Sequence, residues 1–203
     1  MKRAALGIRM HSGWGVLVAV GDAIDIIDRR RIVVTDDNGP RGNQPFHCAQ
    51  ELGLLEAEEY LSKYRTKSER LAQEEIGVAV KKLNGQGYDV AVAALLLASG
   101  RPLPVLSKIL ASHPLIHAAE GELFREVVND ACKSLKVPVV RYRERDLEEL
   151  GKVSLTCSMR TAKERVASGG KAVGPPWTAD HKAAALAAYL ALRMIGKDKS
   201  PQQ

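Results

Sequence analysis

The apolar positions of the first 37 residues fall in short runs broken by turn residues. Ala4 to Met10 is one run, and the Ser12-Gly13 pair that follows supplies a turn. Trp14 to Val20 is rich in valine and ends at a second turn, Gly21-Asp22. Ile24 to Thr35 places Ile26, Ile27, Ile32, Val33 and Val34 around a charged centre, Asp28 to Arg31. Three short strands joined by tight turns predict an antiparallel meander. Asp36 to Pro45 then crowds Asp, Asn, Gly and Pro together, which predicts a loop. From there the spacing becomes helical. Leu54, Ala57, Leu61 and Tyr64 share one face, as do Ala72, Ile76, Ala79 and Leu83, before Asn84-Gly85-Gln86-Gly87 stops the helix.

Tyr88 to Ala98 is almost wholly apolar without alternation, the pattern of a strand buried on both faces of a parallel sheet. Gly100 to Pro104 ends it, and Leu106, Ile109 and Leu110 resume helical character. Ser112 is the expected cap of the next helix, with Pro114 in its first turn. Ile116, Leu123, Val127, Ala131 and Leu135 form that helix's apolar stripe. Val137 to Tyr142 predicts a further strand, and Asp146 to Leu150 a polar helical turn. Val153 to Met159 is read as a short strand and Ser168 to Pro176 as a mobile basic loop. A last helix begins near Thr178, with Ala183, Leu186, Leu190 and Met194 facing the core. The reading is a single domain over residues 1–196 and a disordered tail over 197–203. Antiparallel strands followed by β-α-β units imply an α/β fold: a mixed sheet with helices on both faces.

Composition narrows the functional classes. With 45% hydrophobic and 27% charged residues the chain is of ordinary globular type. No apolar run reaches the roughly 20 residues of a membrane helix, and Arg9 and His11 interrupt the apolar start, so the expectation is a cytoplasmic protein without a membrane partner. Cys48, Cys132 and Cys157 are odd in number and far apart, which argues against both a disulfide framework and a thiolate zinc site. The net charge of +6 is concentrated at the C-terminal end, where residues 151–203 carry nine Lys and Arg against three acids. Such a stripe can neutralise phosphates; it is equally the composition of a solvated basic surface.

Several segments carry a family likeness. Leu6-Gly7-Ile8-Arg9-Met10-His11-Ser12-Gly13-Trp14-Gly15-Val16 resembles the opening hairpin of the Holliday-junction resolvases, within the ribonuclease H-like superfamily. Tyr88-Asp89-Val90-Ala91-Val92 resembles the entry to their central strand, and Val139-Val140-Arg141-Tyr142 the strand after it. Ala179-Asp180-His181-Lys182-Ala183-Ala184-Ala185-Leu186-Ala187 resembles their alanine-rich last helix. The resemblance implies a ribonuclease H-like fold and contact with DNA or RNA. It also implies four carboxylates holding two divalent metal ions that cut a phosphodiester. Here the first-strand acid position holds Arg9, the central-strand position falls near Ala94, and the last helix offers Asp180 but has Ala183 three residues on. Hard cations such as Mg²⁺ need oxygen ligands, so two-metal nuclease activity is not expected at this place. Arg9, Lys171 and Lys182 are the expected nucleic-acid contacts. Asp180 is either the surviving functional acid or a helix cap.

The other distinctive stretch is Ser112-His113-Pro114-Leu115-Ile116-His117-Ala118-Ala119-Glu120-Gly121. The chain resembles bacterial proteins that carry this segment, a likeness that implies no activity. On a helix His113, His117 and Glu120 share a flank. Two imidazoles and a carboxylate make a reasonable Zn²⁺, Mn²⁺ or Fe²⁺ ligand set, with Mg²⁺ as the cation a resolvase would use. The zincin motif needs a glutamate where Pro114 stands, which argues against a metalloprotease. The structural alternative has His113 filling the first turn, His117 bonding backbone and Glu120 pairing with Arg125 or Lys108. His11, beside the vacated acid position, and His47 are further site candidates. Two function classes stand: a non-catalytic ribonuclease H-like module that binds nucleic acid or a protein partner, or a metal-dependent nuclease or hydrolase with a relocated site. In the second, His117 and Asp180 would carry catalysis and His113, His117 and Glu120 the metal. A homodimer is compatible with either.

Overall fold

The computed structural model describes residues 1–35, 42–98, 102–155 and 157–197. Residues 36–41 of the predicted 36–45 loop, Gly100 and Arg101 of the predicted 100–104 break and residues 198–203 of the predicted 197–203 tail lie outside the described residues; Pro45 already belongs to a helix, and Lys197 ends the last one. The meander is present as β1 (Lys2–Met10), β2 (Trp14–Gly21) and β3 (Ile26–Val33), paired antiparallel. The short α1 (Pro45–Ala49) precedes α2 (Leu54–Gly85), a helix of 32 residues. The apolar run at 88 forms β4 (Tyr88–Leu97), followed by α3 (Leu106–Leu110), α4 (His113–Ser134) and β5 (Val139–Arg143). A 3₁₀ turn at Glu144–Asp146 leads into α5 (Leu147–Ser154), α6 (Met159–Val173) and α7 (Ala179–Lys197).

The strand order is β3-β2-β1-β4-β5, with β4 parallel to both β1 and β5. Alternate residues of β1 therefore enter different cores. Leu6, Ile8 and Met10 join Leu61, Ile76, Phe124 and Val127 beneath α2 and α4. Ala5 joins Val18, Val92, Ala94, Leu186 and Leu190 beneath α7. Asp28, buried in β3, ties α2 to the sheet through Lys82 Nζ at 2.8 Å and also pairs with Arg30 of its own strand at 2.6 Å. Burial pushes the Asp28 carboxyl up, but those two cations outweigh it and hold the group below its ordinary value. Burial also pushes the Cys132 thiol up to about 12, so this cysteine is a small core hydrophobe.

Two predicted elements differ. Among the described residues of 153–159 there is no strand: α5 continues through Ser154, and Ser158 caps α6 by accepting from the Thr161 N–H at 3.1 Å. The stretch read as a mobile loop is helical through Val173, so Lys171 stands in the last turn of α6. Its glycines serve close contact. A Cβ at Gly169 would lie 2.5 Å from Ile26 Cγ1, and one at Gly170 would lie 2.2 Å from Trp177 Cγ. The contact with Trp177, whose indole donates to Val166 O at 3.1 Å, outweighs the weak helix propensity of glycine.

The alanine-rich face of α7 lies directly on β1, the two running in opposite directions. A Cβ at Gly7 would fall 1.8 Å from Ala184 O, while Gly196 stands beside Arg3. Only a residue without a side chain fits under α7 here. Gly7→Ala is expected to destabilise the chain by ~1–3 kcal/mol or more through overpacking. Urea denaturation checks this, and an unchanged midpoint would mean that α7 does not rest on β1 at this point.

The start of α7 holds a buried histidine. His181 Nδ1 accepts from the Thr178 N–H at 3.2 Å and lies 2.8 Å from its hydroxyl. Burial, and then the Arg29 guanidinium, push His181 below its ordinary value. The unfolded chain therefore binds this proton more readily than the folded one. The stability His181 contributes is fully present above the ordinary histidine value of about 6.5 and is lost as pH falls through the lower folded value. Between about pH 7.5 and about pH 5, His181→Asn should lose less stability than the wild type. Parallel losses in urea titrations would refute the assignment.

Candidate functional site

Two residues along β1 from Gly7, Arg9 projects on the α7 side of the sheet. One turn back from Ala184, at the start of α7, stands Asp180. The packing of Gly7 under Ala184 brings them together: Arg9 Nε and Asp180 Oδ1 form an ion pair at 3.0 Å. A terminal nitrogen of the same guanidinium donates to Glu144 Oε2, from the 3₁₀ turn after β5. His11, at the start of the hairpin turn, donates from Nε2 to the second Asp180 oxygen at 2.9 Å. Asp180 is thus held by a guanidinium and an imidazole, and both its oxygens are engaged. His11 also stacks on Trp14 with ring centroids 4.4 Å apart, and Arg31 lies over the same indole at 4.1 Å.

Strand register locates the other positions that the resolvase likeness singles out. Arg9 pairs with Leu96 of β4, whereas Ala94 pairs with Gly7. The central-strand neighbour of Arg9 is therefore Leu96, two residues beyond the sequence-based placement, and equally apolar. Ala183 lines a groove of about 460 Å³ next to the cluster, between α5, α6 and α7. Leu147, Val166 and Leu186 also line it, with Glu144, Lys163 and Lys182. Lys163 pairs with Glu148. Lys182 is exposed on the first turn of α7, and Lys171 is exposed beside a shallow hollow with Pro175 and Trp177. Among the described residues no salt bridge engages either of these two lysines. The donor set around Arg9 does not fit a pair of divalent cations: a fixed positive charge already bridges the two carboxylates, and Leu96 and Ala183 offer no oxygen.

The histidine segment lies on the other side of the sheet, where α4 packs into the core beneath α2. His113 and His117 occupy successive turns at the start of α4, both exposed, with ring centroids 4.4 Å apart. Glu120 does not share their exposure: it is 1% exposed. Its Oε1 accepts from His47 Nδ1 at 2.8 Å and from the His47 backbone N–H at 3.3 Å, and Oε2 lies 3.8 Å from His117 Nδ1. Arg125, the partner expected from spacing, pairs with Glu122 instead, at 3.0 Å. His47, from α1, stands with its ring 5.3 Å from His113 and 4.8 Å from His117. Sequence spacing finds the pair on α4. It does not find the third imidazole, which is 66 positions from His113 and joined to it only by tertiary packing. The sole local signal is Pro45-Phe46, a helix-starting proline followed by a core anchor, just before His47.

Known proteins bear on the fold. No protein-family model matches the sequence, and no curated protein matches it. Among solved structures, the chain is similar to RuvC of T. thermophilus in complex with a Holliday junction substrate. The TM-score is 0.51 at 12% identity over 96% of each chain. A second Thermus thermophilus RuvC structure aligns over 96% of each chain at 14% identity with a TM-score of 0.49. The mixed sheet in the order β3-β2-β1-β4-β5, helices on both faces and the match over nearly the whole of both chains establish a ribonuclease H-like fold whose structural neighbours are the RuvC-type resolvases.

Proposed function

We propose that this chain is a ribonuclease H-like nucleic-acid-binding protein that recognises branched or duplex DNA and does not cut it by two-metal chemistry. The observation that carries the reading is the pairing of Arg9 with both Asp180 and Glu144. In a two-metal nuclease the corresponding space is electronegative and takes up cations that activate water. Here a guanidinium fills it. Its charge is permanent, and it can neither polarise a water as a metal does nor be exchanged.

Binding is supported from two directions. The neighbouring RuvC structure is one of a complex with a Holliday junction. The same sheet face here carries exposed Lys182 beside the groove and exposed Lys171 further along. Lysines that no salt bridge engages among the described residues are available to neutralise phosphates and release counterions. Arg31 over Trp14, close to the Asp180 cluster, adds a cation at the hairpin end of the same surface.

Fluorescence anisotropy with a four-way junction, a duplex and a single strand, over a range of salt, tests this. Binding to the junction should weaken steeply as salt rises. Lys171→Ala and Lys182→Ala should each flatten the log–log slope by about 0.9 for every phosphate that the variant no longer neutralises. Junction DNA should remain intact in Mg²⁺ or Mn²⁺. Metal-dependent cleavage abolished by Asp180→Asn would overturn the non-cutting part, and the absence of salt-dependent binding would overturn the rest.

A further inference from the structure

We propose that His47, His113 and His117 form a three-histidine site for a transition-metal cation, Zn²⁺ foremost, with Glu120 as the buried carboxylate that orients His47. The site shares no residue with the Arg9 cluster and lies on the opposite side of the sheet, so the two readings stand or fall separately.

The convergence is built by the core. Phe46 and Ala49 are buried with Ile109 and Ile116, so α1 is pinned against α3 and the first turns of α4. Gln50 Nε2 donates to Leu110 O at 2.9 Å and closes the same junction from the C-terminal side of α1. His47 is thereby carried to a fixed place over α4. One potential ligand atom from each of the three histidines lies within 4.8 Å of the other two. Three nitrogens at tetrahedral Zn–N distances would stand about 3.3 Å apart. Closing that gap takes shifts of about 1.5 Å or less, within reach of rotations of the exposed His113 and His117 side chains. The rings meet edge to face at 61–87° rather than stacking.

Glu120 is the independent sign. A carboxylate that is 1% exposed is costly to bury unless its charge is answered. Among the described residues neither lysine nor arginine pairs with it; its partners there are His47 and His117. Accepting from Nδ1–H of His47, it fixes the tautomer that leaves Nε2 as a lone pair for a metal. A cation bound there would answer the buried charge through the imidazole, the carboxylate–histidine–metal arrangement that orients a ligand and raises its basicity. The role of Glu120 is therefore positioning, and the third ligand is His47. Imidazole nitrogens suit Zn²⁺, Ni²⁺ or Cu²⁺ and not Mg²⁺. Three protein ligands leave Zn²⁺ one coordination position, and the exposure of His113 and His117 opens it to water or a small anion.

The test uses the full chain without an affinity tag, stripped with chelator and titrated with Zn²⁺ by calorimetry. The expected result is one Zn²⁺ per chain and no heat from Mg²⁺. Affinity should fall ~10–100-fold in Glu120→Gln and be lost in His117→Ala and His113→Ala, exposed positions where folding is not at risk. Co²⁺ in place of Zn²⁺ should give the intense visible bands of a tetrahedral site in the wild type, lost in His47→Ala. Far-ultraviolet circular dichroism confirms that each variant is folded. No stoichiometric Zn²⁺ binding, or full affinity in a folded His47→Ala or His113→Ala, would overturn the proposal.

Discussion

The absence of a side chain at Gly7 is the constraint on which the sheet's α7 face depends. It lets the backbone of Ala184 rest on β1, and the alanines of α7 keep the rest of the contact equally thin. A helix held that close is fixed in rotation and height as well as direction. Asp180, one turn before Ala184, is delivered to Arg9, two residues after Gly7, within hydrogen-bond distance. The 3₁₀ turn after β5 completes the cluster by bringing Glu144 to the other side of the guanidinium. Packing in the apolar layer thus decides which charges meet at the sheet's edge.

Those charges set the chemistry. Carboxylates brought together repel, and a protein has two ways to answer the repulsion. A bound divalent cation is exchangeable and can activate water; a guanidinium is permanent and cannot. Arg9 is the second answer. It engages both carboxylates, so the cluster is held together by a cation that the chain itself supplies. The His47–His113–His117 cluster presents the reverse case: a buried carboxylate partnered by imidazoles, with open space beyond them.

Much of the fold was legible in the sequence. The valine- and isoleucine-rich runs with tight turns specified the meander, and the unbroken apolar run at Val90–Leu97 specified a strand covered on both sides. The α6 region was not legible, because Gly169 and Gly170 signal flexibility in a sequence. In the structure they admit Ile26 and the Trp177 ring, and no local pattern reveals a tertiary contact. The stripe Met159, Ala162, Val166 and Gly170 was the available clue. At the site, Arg9 and Asp180 were legible as positions but not as partners, since 171 positions separate them. The pair His113 and His117 followed from helical spacing. Spacing alone puts Glu120 on the same exposed flank, but it lies in the buried stripe with Ile116, Ala119 and Leu123, against a histidine that sequence distance hid.

The claim that Arg9 is the internal counter-ion of Asp180 is tested most directly by a double-mutant cycle on stability. The cycle compares Arg9→Met, Asp180→Asn and the double variant by urea denaturation. The account predicts a favourable coupling of about 0.5 kcal/mol or more, as for groups in direct contact, with the double variant less damaged than the two single losses together imply. Losses that add to within about 0.3 kcal/mol would contradict it, and would mean that the guanidinium and the carboxylate stand side by side without depending on each other.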